Sequence, residues 1–174
     1  MKNDSRYTIH DTRVLAIDPG FERLGIAVLE KKQKGREELI FSSCFKTSAQ
    51  LPFSKRLLLI GKEVEKLIKK HKPEVLAIEK LFLTTNQKTA MRVAEVRGAV
   101  IFIAQKNKLA VFEYTPLQVK IAITGYGKAT KGQIMAMVPK LIFFSGKDKK
   151  TDDEFDAIAI GITYFAHSAG GVDK

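Results

Sequence analysis

The sequence predicts an α/β fold: a mixed five-stranded sheet, antiparallel at its start and parallel afterwards, flanked by helices. Three observations carry this. Two apolar runs, Val14-Leu15-Ala16-Ile17 and Leu24 to Leu29, flank a turn containing Asp18-Pro19-Gly20, which is the pattern of a hairpin. A helical repeat then leads into another apolar run, Val75-Leu76-Ala77-Ile78, and strand, helix, strand in that order implies a parallel crossover. The length, 174 residues, suits one domain with a full core.

The elements follow in order. Residues 1–12 are polar and mixed in charge and read as a flexible lead-in. The first strand is an unbroken apolar run ended by turn residues, which suits burial on both faces. After the second strand, Lys31 to Arg36 is a charged turn, and Leu39 to Phe45 a third strand in an antiparallel meander. Leu51-Pro52-Phe53-Ser54 opens a long helix whose core stripe is Leu57, Leu58, Ile60, Val64, Leu67 and Ile68. Lys55, Arg56, Lys62, Lys66, Lys69 and Lys70 fill its other face, and His71-Lys72-Pro73 ends it. The fourth strand finishes in Glu79. A second long helix covers Asn86 to Asn107, with a broad small-residue surface that suits both the sheet and a partner subunit. Leu109 to Tyr114 is the fifth strand. Thr115-Pro116 starts a short helix, with Pro where its missing N–H does no harm. Gly125-Tyr126-Gly127 breaks it, Lys131 to Phe144 is a further helix, Ser145 to Lys150 a basic loop, and Asp152 to Ala169 the last helix. The domain is expected over 13–169, with 170–174 a short tail.

Composition narrows the function. Lys+Arg number 30 against 19 Asp+Glu, a net charge of +11, and a surplus of that size favours a polyanion, nucleic acid first. One cysteine, Cys44, leaves no internal disulfide and no cysteine-based zinc site, which fits a reducing compartment. No apolar run approaches the ~20 residues needed to span a bilayer, and the first residues hold no secretory signal. A cytoplasmic protein with no membrane partner is expected.

The chemistry lies in carboxylates. Asp18 and Glu79 each end an apolar strand, and a carboxylate there is costly to desolvate without a partner. Asp153 and Asp156, three apart, share one face of the last helix. Each has an ordinary alternative: Asp18 capping its turn, Glu79 solvated, the Asp152–Asp156 cluster complementing a helix N-terminus. Taken together with the basic charge, they favour a metal site. Four convergent carboxylates repel one another, and hard divalent cations with oxygen ligands remove the repulsion. Two such ions can activate water against a phosphodiester. Lys128, Lys131, Lys147, Lys149 and Lys150 flank the acidic helix as a phosphate-binding rim.

The successive blocks Ile17-Asp18-Pro19-Gly20 with Gly25 and Val28, Ala77-Ile78-Glu79 with Leu81-Phe82, Ala94 to Arg97-Gly98, Val111 to Tyr114 with Gln118-Val119-Lys120, Gly125-Tyr126-Gly127 with Lys131, and Asp153 with Asp156 to Ile160 resemble the motifs of the RuvC-type Holliday-junction resolvases. The resemblance runs from about Arg13 to Tyr164. It implies a ribonuclease-H-like fold, a homodimer, and paired nicking of opposed strands at a four-way DNA junction in recombination and repair. It implies that Asp18, Glu79, Asp153 and Asp156 hold Mg²⁺, two ions per subunit, with Mn²⁺ able to substitute. It further implies that Phe82 stacks on a base near the crossover, that Lys120 and Lys131 contact DNA near the scissile phosphate, and that a branch-migration complex is a partner. The lead-in is longer and the tail shorter than in that family. Two other readings stay open on the residues: a ribonuclease-H-like nuclease acting on RNA or another branched DNA, and a non-catalytic junction-binding protein.

Overall fold

A computed structural model describes residues 11–32, 35–81, 87–144 and 150–169. The element order is β1 (Thr12–Asp18), β2 (Arg23–Lys31), β3 (Glu37–Lys46), α1 (Phe53–His71), β4 (Val75–Glu79), α2 (Gln87–Lys106), β5 (Ala110–Tyr114), α3 (Pro116–Thr124), α4 (Lys131–Leu141), β6 (Phe143–Phe144) and α5 (Asp152–Ala169). The sheet order is β5-β4-β1-β2-β3-β6. The expected five strands are all present: β1, β2 and β3 run antiparallel, and β4 and β5 add in parallel on the other side of β1.

Strand periodicity sorts the core into two layers. Leu15, Ile17, Leu76 and Ile78 face α1 and α2, where Ile60, Val64, Val96 and Val100 are buried. Val14, Ala16, Val75 and Ala77 face α5, with α3 and α4 outside it. α5 is therefore covered on nearly every side. Ala157, Ile158, Ala159, Ile160 and Thr163 are all buried, which explains why its sequence lacks a clean apolar stripe. Thr163 satisfies its hydroxyl by donating to the Ala159 carbonyl at 2.8 Å. Gly161 admits the helix to the sheet, since a Cβ there would stand 2.5 Å from Leu29 Cδ1 and 3.2 Å from Ala16 Cβ.

Two expectations change. The fourth helix stops at Leu141 instead of running to Phe144; Ile142 turns extended, and Phe143–Phe144 pairs in parallel with Glu38–Leu39 at the sheet edge. Backbone groups freed from the helix are taken up by that ladder. Arg56, expected on the solvated face of α1, is buried, while Leu58, expected in the core, is half exposed. Arg56 is satisfied because Nε donates to Thr47 Oγ1 at 2.8 Å, Nη2 donates to the Phe21 carbonyl at 3.1 Å, and the guanidinium lies 4.9 Å from the Phe21 ring centroid. It thereby ties α1 to the turn after Asp18.

Candidate active site

Parity places the first two acids. Asp18 is two and four residues beyond Ala16 and Val14, and Glu79 is two and four beyond Ala77 and Val75, so both carboxylates point to the α5 side of the sheet. The register Ile17↔Ile78 sets them side by side, one step beyond the last paired residues of adjacent parallel strands. α5 supplies the third: Asp18, Glu79 and Asp156 line one cleft of about 260 Å³ with Lys120 and Lys131. Asp153 lies one turn earlier, in an adjoining groove with Arg23, Lys131 and Lys150.

Gly25 makes this approach possible. It pairs with Asp18 across the hairpin. A Cβ at Gly25 would stand 2.2 Å from the Asp153 carbonyl oxygen and 3.1 Å from Asp18 Cβ, so only glycine lets the start of α5 rest on β2 beside the acid.

The charges in the cluster interact strongly. The Asp18 carboxyl is pushed up to about 7, chiefly by burial and then by the negative charges of Glu79, Asp156 and Asp153, with Lys131 offsetting only part of this. Burial and Asp156 also raise Glu79, although it accepts a hydrogen bond from Asp18. Burial alone would raise Asp153, but hydrogen bonds from Arg23 and Cys44 hold it below the ordinary carboxylate range. Lys131 donates to Asp156 Oδ2 at 2.8 Å and lies 3.6 Å from Asp152 Oδ2. Its partial burial opposes the charge, yet Asp156, Asp152 and Asp153 keep the ammonium above its usual range.

The oxygen-only donor set and the surplus of negative charge fit hard divalent cations. Among the described residues, no three acidic, histidine or cysteine side chains close around one point as placed. Two of the acids are instead paired with cations, Asp153 with Arg23 and Asp156 with Lys131. Glu154, by contrast, is a capping residue. It accepts from the Thr151 N–H at 2.9 Å and from the Ser42 hydroxyl at 2.7 Å.

Phe82, Lys147 and Lys149 fall outside the described residues. Lys120 and Lys131 lie in the acid cleft, Lys150 in the adjoining groove, and Lys128 is exposed on the loop before α4. Sequence reasoning missed Arg23 and Cys44 as partners of Asp153, and Arg97 as a brace. Arg97 donates to the Glu79 carbonyl at 3.2 Å and pairs with Glu113, so it fixes the end of β4 against β5. Among the described residues, no helix is long and apolar enough to cross a membrane.

Known proteins resemble the chain over most of its length. The family model described as crossover junction endodeoxyribonuclease RuvC matches residues 14–164. A relative of that description from Fusobacterium nucleatum subsp. nucleatum is 43% identical over 152 residues, covering 87% of this chain and 79% of the relative. One from Caldicellulosiruptor saccharolyticus is 41% identical over 157 residues, covering 90% and 94%. Among solved structures, T. thermophilus RuvC in complex with Holliday junction substrate superposes with a TM-score of 0.85 at 30% identity, covering 94% of this chain and 98% of that one. The yeast mitochondrial Holliday junction resolvase Ydc2 shares the fold, with a TM-score of 0.71 at 16% identity over 91% of this chain and 79% of its own.

Proposed function

The chain belongs to the RuvC family of crossover junction endodeoxyribonucleases, and from that premise we propose how its own residues resolve a four-way DNA junction. It is a divalent-metal-dependent endonuclease that acts on Holliday junctions. The observation that carries the reading is the meeting of Asp18, Glu79 and Asp156 in one cleft with Lys120 and Lys131, with Asp153 at its margin.

Asp18, Glu79, Asp153 and Asp156 are the residues that would hold the cation, Mg²⁺ with Mn²⁺ able to substitute, two ions per subunit. Such ions, when bound, activate a water and stabilise the leaving oxygen of a phosphodiester. The chain supplies the rest. Burial of Asp18 in a floor of apolar strands keeps its carboxyl poorly solvated, so its charge is available to a cation and not to bulk water. Lys131 balances Asp156 before substrate arrives; on binding, its ammonium passes to a backbone phosphate at the cleft mouth. Lys120, across the same cleft, takes a neighbouring phosphate. Phe82, three residues beyond Glu79, stacks on an unpaired base near the crossover, worth about 1–3 kcal/mol for such contacts.

Paired nicks require two sites. We assign the chain to a homodimer, whose two-fold axis matches opposed junction strands. The outer face of α2 supports this: Met91 and Phe102 are 66% and 69% exposed, and eleven residues of separation put them on the same side of the helix. The nuclease domain is assigned to 13–169, and a cytoplasmic location fits a DNA substrate.

The test is a labelled four-way junction incubated with and without Mg²⁺, alongside linear duplex, single strand and RNA. Symmetrically opposed nicks in the junction alone, dependent on Mg²⁺, are expected. Equal cutting of duplex or RNA, or nicks that persist in EDTA, would overturn the reading.

A further inference from the structure

Arg23 opens β2, directly after the turn that carries Asp18, and its side chain reaches across to the first turn of α5. Nε donates to Asp153 Oδ2 at 2.8 Å, and Nη2 donates to the same oxygen. Cys44 Sγ lies 3.5 Å from that oxygen as well. A carboxylate oxygen that accepts from three donors has little lone-pair density left for a cation. The Arg23 side chain is 46% exposed, so its guanidinium can turn toward solvent. Beside it an open groove of about 580 Å³, lined also by Lys131, Lys150, Thr151 and the Asp152 and Asp153 carboxylates, has room for a phosphodiester group held on the side of its three cations. The planar fork that grips Asp153 is equally suited to phosphate oxygens.

We propose that Arg23 is a positioning residue that competes with the divalent cation for Asp153, and that on release its guanidinium takes a DNA phosphate in the adjoining groove. The inference rests on the metal-site reading above. Two features of the fold make the exchange local. Gly25 pins the α5 backbone to β2 at Asp153, so the carboxylate can turn without the helix moving. Arg23 sits two residues before that contact, which keeps the freed guanidinium at the groove. Cys44, a weak donor, stays on the carboxylate and does not block a cation as a charged fork does.

The experiment measures Mn²⁺ alone, by the EPR signal of the free ion, titrated against the full chain without DNA. Wild type is compared with Arg23→Gln, Arg23→Lys and Asp18→Asn, each checked for a cooperative melt. Removing a partly exposed ion-pair partner from Asp153 should tighten Mn²⁺ binding roughly two- to fivefold in Arg23→Gln. Arg23→Lys, which keeps the charge and loses the fork, should fall between, and it carries the test if the glutamine variant does not fold. In Ca²⁺, junction binding by Arg23→Gln should show a salt slope lower by ~0.9, the loss of one phosphate contact. Mn²⁺ binding that is lost in Asp18→Asn but unchanged or weaker in Arg23→Gln overturns the competition and leaves the metal site standing. Binding that is insensitive to Asp18→Asn overturns both. An unchanged salt slope overturns the phosphate half.

Discussion

Replacing Asp18 by Asn should stabilise the protein while abolishing nicking. The buried carboxyl titrates near 7 in the fold against an ordinary value of 3.8. At about 1.4 kcal/mol per decade, ionising it in the folded state costs about 4 kcal/mol. Because the folded value is the higher one, the fold binds the extra proton. This contribution to stability is full below pH 4 and is lost as pH rises through 7. Asn keeps the shape and can still donate to Glu79, but it has nothing to ionise. In EDTA at pH 8.5, Asp18→Asn should therefore be more stable than wild type by about 2–4 kcal/mol in urea denaturation, with the gap shrinking to below about 2 kcal/mol at pH 5. His71, whose burial lowers its own titration, acts in both proteins and cancels in the difference. Mg²⁺ at pH 8.5 should raise the melting temperature of wild type and not of the variant. A variant no more stable than wild type at pH 8.5, or a gap that does not grow with pH, would refute the account of Asp18 as a buried member of a repelling cluster.

Other perturbations reach the same site from its supports. Gly25→Ala drives a methyl into the Asp153 carbonyl, which should cost about 1–3 kcal/mol in denaturation. The same change should lower single-turnover cleavage by on the order of 10²-fold through displaced acids. Arg56→Leu removes one of two donors to the Phe21 carbonyl, which keeps the Thr47 hydroxyl at 2.6 Å, and leaves Thr47 Oγ1 without its donor; a loss of about 1–3 kcal/mol measured by denaturation is expected. Lys120→Gln should weaken junction binding in Ca²⁺ and reduce the salt slope by ~0.9, while its melting temperature stays within a degree or two of wild type.

How much of this could be read beforehand differs by residue. The strand-end acids were legible because an apolar run that stops in a carboxylate is conspicuous; that both point to one face depends on the β1–β4 register, which the sequence does not give. The five main strands were legible as short apolar runs bounded by turn or helix signals. Arg56 was not: a helical arginine reads as solvated, and its burial depends on Thr47 and Phe21 arriving from elsewhere in the chain. Arg23 and Cys44 were hidden because their shared partner, Asp153, is more than a hundred residues away. Gly25 did carry a signal, a glycine inside a buried strand, but what it makes room for is fixed only when α5 docks. The end of α4 is not legible in the sequence because Ile142-Phe143-Phe144 is apolar in either conformation, and pairing with β3 decides between them.

The most direct measurement is anomalous diffraction from crystals of the full chain soaked in Mn²⁺. A peak bounded by carboxylate oxygens of Asp18, Glu79 and Asp156 is expected, with Lys131 withdrawn from Asp156. Saturating Mn²⁺ with no peak in that cleft, or a peak held by other residues, would contradict it.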